Sequence, residues 1–451
     1  MAKKGVTFVL FGGTGDLTRR KLAPAFVNLV DNEIIGRNST IIGVSRKKMS
    51  DEEYKKFLLE GFKDTKSKAH VENLKIKYLQ GDFSIENGLK GLKELIRECE
   101  VDECDRIFYL ATSYIYFPSI IRELKNFNLY KQKDGFTKVV FEKPFGSNLK
   151  SAEKLDRDVH KIFSEKDIFR LDHYLAKETV QNLNVLKFTN PILYGSFGNR
   201  VIESIDIIVD ENLGVGNRIS YYNNAGAIKD VIQSHLLQIL SLLLMERPES
   251  LFADHIHDKK VIVLKNIEVM PAEEHLLGQY KSYSDELRRA GLAKSRTETF
   301  ARIVLNCKME RWNGVKLVLR TGKKLKKKLG QIRINYKQAH QKFIHGFKGV
   351  GINKLVINVY PKQDIVLYMN SRIPEKLNSV EPVNFEFSRE SKFGPNTSDE
   401  YAVLLEEVIK RDKTLFTRDD EIKESWKIID KIEKMKSKIK FVYYEDGWNG
   451  D

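Results

Sequence analysis

The chain has 451 residues, 41% of them hydrophobic and 10% aromatic, proportions that exclude a disordered, collagen-like or small stapled protein and leave room for two domains with a substantial core. Lys and Arg number 77 against 62 Asp and Glu, a formal net charge of +15, which makes an anion a candidate partner. Lys outnumbers Arg 54 to 23, and scattered Lys reads first as solvated surface, because base recognition leans on clustered Arg.

The start, MAKKGVTFVLFGG, carries a basic pair before an apolar run but enters a Gly turn without a cleavage site, so it reads as a first strand and not as a signal peptide. Val6–Phe11 is a bare apolar run of the kind buried on both faces of a parallel sheet, and Gly12–Gly15 then leads into a helical stretch through Leu29. The glycines at 12, 13 and 15 depart from GxGxxG spacing. Glycine still lets the backbone approach a pyrophosphate, and the following helix offers its N-terminal N–H groups.

Thr40–Val44 is the second strand. Where an NAD-selective fold places a carboxylate for the ribose hydroxyls, the chain reads Ser45-Arg46-Lys47-Lys48. A 2′-phosphate would be attracted there and held in fork geometry by Arg46, which favours NADP; a solvated basic turn is the competing explanation. A polar helix over Asp51–Phe62, a strand at Ile76–Leu79, a helix near Leu89–Arg97, a strand at Ile107–Ala111, a helix around Phe117–Lys125 and a strand at Val139–Phe141 follow. Short strands separated by helices predict a doubly wound parallel sheet with right-handed crossovers.

Lys143-Pro144 follows the last of these strands, at the sheet edge where ligands bind in such folds. Arg170–Glu178 packs Asp172, His173, Tyr174 and Lys177 into six residues. If the chain turns helical after Asp172, His173 and Lys177 share a face suited to a dianionic phosphate; an exposed ion-pair helix explains the pattern equally well.

Beyond about residue 180 the character changes. Gly195–Val209 and Arg302–Leu319 are β-rich, Leu355–Tyr360 and Ile365–Met369 pair across Pro361–Asp364, and helical patterns occupy Asp230–Met245, Asp399–Lys410 and Asp420–Lys434. The fold class is therefore an N-terminal Rossmann-like α/β domain, over 1–175, and an α+β domain with a large, mainly antiparallel sheet, over 176–451. Asp230 and His235 lie five apart and diverge on a regular helix; a lone His among apolar residues is more often a core histidine than a base. Leu236–Met245, interrupted by Gln238 and Ser241, is far shorter than the roughly 20 residues of a membrane span, so no membrane role is expected. Three cysteines without a CxxC argue against a disulfide framework or zinc site, so no metal is expected and the compartment is expected to be the cytoplasm.

The segments GGTGDLTRRKLAPAF, FEKPFG, RLDHYLAKETVQNL, GAIKDVIQSHLLQ, MERPES and RTGKKL, in this order, together resemble the glucose-6-phosphate dehydrogenase family. The resemblance implies NADP-dependent oxidation of glucose 6-phosphate at C1 to 6-phosphoglucono-1,5-lactone, in a homodimer or homotetramer. It implies His235 as general base and Asp172 as its partner. Lys143, His173, Tyr174, Lys177, Glu211, Asp230, Lys323 and Lys328 would contact the substrate. Gly12, Thr14, Gly15, Asp16, Leu17, Arg46 and Lys143 would contact NADP. Departures are Ala111–Pro118, on the nicotinamide side, and Tyr360, which replaces a polar residue that some members place near the substrate. Alternatives are another hexose-6-phosphate dehydrogenase with dual NAD and NADP use, or a non-catalytic nucleotide- or nucleic-acid-binding protein. With small anions placed, a polynucleotide is not needed to account for the charge.

Overall fold

A computed structural model describes residues 4–62, 74–100, 104–132, 135–338, 344–394 and 399–450. The chain divides into two compact units, Met1–Ala176 with Ser398–Lys423, and Lys177–Thr397 with Glu424–Asp451.

The first unit is built on strands β1 (Gly5–Phe11), β2 (Thr40–Ser45), β3 (Lys75–Gln80), β4 (Cys104–Leu110), β5 (Thr137–Phe141) and β6 (Ile168–Leu171), in the order 6-5-4-1-2-3. All pairs among these are parallel, with Thr7 opposite Thr40 and Gly5 opposite Cys104. Every residue of β1 and β4 is buried, as central strands covered by helices on both faces require. The charged pair within β4 survives burial through partners: Arg106 donates to Glu100 at 2.9 Å, and Lys4 lies 3.4 Å from Asp105. The expected doubly wound parallel sheet is present, and its order reverses beside β1.

The sixth strand, Ile168–Leu171, escapes a reading of the sequence because it has only four residues and contains Arg170. That guanidinium is 1% exposed and is held by Glu165 at 2.7 Å and Asp156 at 2.8 Å. The boundary near residue 175 likewise does not describe the tail. Phe416–Thr417 pairs antiparallel with β6, Phe416 packing edge-on against Phe169 at 4.8 Å. The helix Glu400–Lys410 places Tyr401, Leu404, Leu405 and Val408 in the core that contains Phe8 and Phe26. The return covers a sheet edge that would otherwise expose unpaired backbone groups. Composition does not reveal it, because an amphipathic helix carries no mark of which unit its apolar face covers.

The second unit holds β7 (Ile202–Asp210), β8 (Ile267–Val269), β9 (Leu276–Tyr280), β10 (Phe300–Cys307), β11 (Lys316–Gly322), β12 (Leu329–Tyr336), β13 (Lys354–Tyr360), β14 (Asp364–Arg372) and β15 (Val380–Ser388), with β16 being the Phe416–Thr417 strand above and β17 Lys440–Tyr444. The sheet order is 15-14-13-12-7-11-10-9-17, with β8 on β10. Among the described strands of this sheet, only the β7–β11 and β9–β17 pairs are parallel. The expected β13–β14 hairpin forms, Leu355 opposite Leu367, whereas Pro191–Ser196 is helical and the strand expected from Gly195 begins at Ile202.

Helical residues cover this sheet. The stretch Gly216–Leu244 is long and apolar enough to cross a membrane by length and composition, yet 89% of its apolar window is buried in the protein. Its last carbonyls are capped by side chains: Lys187 Nζ donates to Leu243 O at 2.8 Å and to Met245 O, and Trp312 Nε1 donates to Leu244 O at 2.7 Å.

Candidate active site

In the first unit the candidate residues gather at the carboxyl ends of the parallel strands. Gly12 has φ +86°, and a Cβ there would stand 2.4 Å from Ala111 O at the end of β4. The Gly12 and Gly13 N–H groups both donate to Val44 O, at 2.9 and 3.1 Å, which folds the turn against β2. Gly15 N–H donates to Gly12 O at 2.8 Å and Thr18 Oγ1 to the same oxygen at 3.1 Å. Helix begins at Asp16 and Leu17 and passes through a π-helical turn, Thr18–Leu22, before Ala23–Asp31. Glycine is thus required by contact as well as by φ, and the cradle it leaves fits the pyrophosphate of a dinucleotide.

Thr14 Oγ1 lies 2.9 Å from Ser45 Oγ, which lies 2.8 Å from Tyr78 OH, so the turn is tied to the ends of β2 and β3. Arg46, Lys47 and Lys48 are exposed just beyond. The Arg46 guanidinium carbon is 6.0 Å from the centroid of the Tyr116 ring. Asp82 is held below the ordinary carboxyl range by the side chain and N–H of Ser84, with Arg46 contributing. Three cations with one nearby acid suit a ligand carrying an additional phosphate.

Lys143 follows β5 through a cis peptide to Pro144. Beside it Tyr109 OH donates to Glu142 Oε1 at 2.6 Å; burial pushes this carboxyl up, and Tyr109, Lys143 and Tyr401 oppose the shift. Asp172, 2% exposed, follows β6. Its Oδ1 accepts from Tyr174 N–H at 3.0 Å, and the His173 and Tyr174 rings lie 4.9 Å apart. The chain does not turn helical after Asp172. It passes through turns to Lys177, and the helix begins at Glu178, so the shared helical face for His173 and Lys177 does not form. Asp172 satisfies the local backbone itself, the habit that makes Asp a turn residue.

The second unit places Glu211 directly after β7 and Lys323 directly after the adjacent β11. Their parallel pairing brings Lys323 Nζ to 2.6 Å from Glu211 Oε2. Lys323 also lies 5.6 Å from the centroid of the Tyr222 ring. Asp230, 3% exposed, accepts from Tyr221 OH at 3.3 Å and faces Arg218 at 3.4 Å.

Asp230 and His235 share Ile228–Leu236, which is a π-helix. Its i→i+5 bonding brings residues five apart to the same side, where a regular helix would separate them. Their spacing therefore does not count against a joint role. His235 is 2% exposed. Lys177 and Lys328 converge on one aromatic ring, their Nζ atoms 5.6 and 5.8 Å from the Tyr360 centroid.

Sequence reasoning singled out Tyr360 only as a departure and missed Arg218, Tyr221 and Tyr222. Those three precede Gly226 in a polar, aromatic stretch whose link to Asp230 and Lys323 depends on packing.

Two family models match nearly the whole length: the glucose-6-phosphate dehydrogenase NAD binding domain over residues 9–182 and the glucose-6-phosphate dehydrogenase C-terminal domain over residues 184–451. The chain belongs to the glucose-6-phosphate dehydrogenase family. A glucose-6-phosphate 1-dehydrogenase of Borreliella burgdorferi is 34% identical, covering 98% of this chain and 94% of that protein. The cytoplasmic glucose-6-phosphate 1-dehydrogenase 6 of Arabidopsis thaliana is 33% identical, covering 99% and 89%. Among solved structures, a glucose-6-phosphate dehydrogenase in complex with glucose 6-phosphate superposes with a TM-score of 0.89 at 32% identity, covering 99% of this chain and 95% of that one. The glucose-6-phosphate 1-dehydrogenase of Mycobacterium avium gives a TM-score of 0.86 at 27% identity, covering 99% and 95%.

Proposed function

We propose that this protein oxidises glucose 6-phosphate at C1 with NADP⁺, giving 6-phosphoglucono-1,5-lactone. The observation that carries this reading is membership in the family along the whole chain, together with the His235 and Asp230 pair on one π-helix. NADP⁺ supplies the hydride acceptor when bound in the Gly12–Leu17 turn, with Gly12, Thr14, Gly15, Asp16 and Leu17 at the pyrophosphate and Arg46 at the 2′-phosphate.

His235 accepts the C1 hydroxyl proton as the C1 hydrogen leaves as hydride, so the carbon loses two electrons and the hydroxyl becomes the lactone carbonyl. General-base help of this kind is worth about 10² to 10⁴ in rate. Asp172 stabilises the imidazolium that forms. His173, Tyr174 and Lys177 hold the 6-phosphate, Glu211 and Asp230 accept from sugar hydroxyls, and Lys323 and Lys328 contribute positive charge. Lys143 would contact both the sugar and the cofactor when these are bound. No step calls on a metal ion, because the hydride acceptor and the base together account for both the electrons and the proton.

The working form is a homodimer or homotetramer. In support, β15 lies at the edge of the large sheet and exposes Phe385 and Phe387, with Met369 exposed on the neighbouring β14; an apolar face of this kind suits association. The protein is assigned to the cytoplasm, in keeping with the cytoplasmic Arabidopsis relative.

NADPH absorbance on mixing the protein with glucose 6-phosphate and NADP⁺ tests the reading. Turnover is expected with the wild type and its loss with His235→Ala; near wild-type turnover in that variant overturns the base assignment.

A further inference from the structure

The helix that carries Asp230 and His235 does not continue smoothly from the one before it. Ile219–Ala227 gives way to Ile228–Leu236 through Gly226, whose φ of 68° and ψ of 177° are open to glycine and strained for other residues. A Cβ at Gly226 would stand 2.2 Å from Glu298 Oε1, so the carboxylate occupies the space that glycine leaves. From there Glu298 Oε1 accepts from Ile228 N–H at 3.2 Å, and the Glu298 carbonyl accepts from Ala227 N–H at 3.0 Å. Both donors lie at the start of the new helix, where N–H groups have no partner within the helix.

Glu298 is 0% exposed. A buried carboxylate needs a counter-charge, and Lys436 Nζ supplies it, 2.8 Å from Oε2. Burial pushes the Glu298 carboxyl up and Lys436 draws it back down. Lys436 also lies 3.1 Å from Glu433 Oε1, and Glu433 Oε2 is 3.6 Å from Lys229, the neighbour of Asp230. Four alternating charges thus run from the main chain at Ile228 to the side chain at Lys229.

We propose that Glu298 is a positioning residue for the dehydrogenase reaction: the strap Glu298–Lys436–Glu433–Lys229 sets the rotation of the Ile228–Leu236 helix and so the placement of Asp230 and His235. Rotation matters at this helix because Asp230 and His235 share a side only while the i→i+5 pattern holds; closing it as an α-helix turns them apart. The inference rests on the assignment of His235 as base.

Steady-state kinetics of the full-length protein, normalised to the NADP⁺-binding fraction, tests it. Lys436→Met strands the buried carboxylate, and kcat is expected to fall about tenfold, since misplacement of a reacting group by about 1 Å costs up to about 10²-fold. KM for NADP⁺ is expected to stay within about twofold, because the cofactor turn is untouched. Adding Glu298→Gln to Lys436→Met keeps an oxygen for Ile228 N–H and removes the charge that needed Lys436, so kcat is expected to return to within about threefold of wild type. A strap that only supports the fold would lower the melting temperature and the binding fraction while leaving normalised kcat alone, and that outcome overturns the proposal. So does a loss that the second substitution fails to restore. His235→Asn separates the two levels: if it retains turnover the base assignment fails, and if it abolishes turnover while Lys436→Met matches wild type, the strap alone fails.

Discussion

Lys323 and Glu211 stand at the ends of two adjacent parallel strands with Nζ and Oε2 2.6 Å apart. The pair is only partly shielded, Lys323 being 11% and Glu211 36% exposed at the side chain. Each member restrains the other, so on the proposed assignment of Glu211 to the substrate, a sugar hydroxyl would meet a carboxylate already oriented. Glu211→Gln removes the charge that holds Lys323 and weakens the acceptor for that hydroxyl. KM for glucose 6-phosphate is expected to rise roughly tenfold with a smaller change in kcat, the signature of lost uniform binding. Steady-state kinetics checks this; a KM for glucose 6-phosphate equal to that of the wild type removes Glu211 from the substrate contacts.

Tyr360 places one ring beneath both Lys177 and Lys328. A partly exposed cation over an aromatic face gains about 0.5–1 kcal/mol, and the two contacts restrain both ammonium groups. Tyr360→Leu is expected to raise KM for glucose 6-phosphate by about three- to tenfold, whereas Tyr360→Phe keeps the ring and is expected to stay near wild type. If the Phe variant falls as far as the Leu variant, the phenol hydroxyl and not the ring face carries the effect.

Much of this arrangement was legible in the residues themselves. Val6–Phe11 followed by glycine, with Arg46 after the second strand, gave the parallel sheet and its phosphate turn because burial on both faces forces an uninterrupted apolar run. Ile168–Leu171 did not show, since a strand with Arg170 at its centre looks like surface until Glu165 and Asp156 are seen around it. The π-helical phase of Ile228–Leu236 was hidden for a similar reason. It depends on Gly226 and on Glu298, some 70 residues further along the chain, and apolar periodicity carries no trace of a hydrogen bond from so far away. The return of Ser398–Lys423 to the first unit is a third such case, decided by an open strand edge and not by the tail's own sequence.

On the assignment proposed above, cofactor choice turns on the exposed cations after β2. Arg46 is exposed, with its guanidinium carbon 6.0 Å from the centroid of the Tyr116 ring, and its fork geometry matches a phosphate. Arg46→Ala is expected to lower kcat/KM for NADP⁺ by about 10- to 100-fold, the loss of one charge-assisted bidentate contact, while kcat/KM for NAD⁺ changes by less than about threefold. Parallel assays with the two nicotinamides read the ratio directly. Equal losses with both would show that Arg46 supports the turn and does not recognise the 2′-phosphate.

Lys187 offers a test of stability that is independent of catalysis. Burial, with Arg311 adding, pushes its ammonium down to about 7, although the nitrogen caps Leu243 O and Met245 O. In the unfolded chain a lysine titrates near 10.4. Between these values the unfolded state binds more protons than the folded one, so stability from this group rises with pH across that window and is flat below it. Each pH unit is worth at most about 1.4 kcal/mol, so raising the pH from about 7 to about 9 is expected to add on the order of 2 kcal/mol. Lys187→Met fills a similar volume without titrating and lacks this increment, while every other titrating group contributes equally to both proteins. Urea unfolding of wild type and variant at the two pH values therefore isolates the effect as a difference of differences. A wild-type protein whose stability changes with pH no more steeply than the variant's would mean that Lys187 stays protonated inside the fold, its charge accommodated by the two carbonyls and by Glu246.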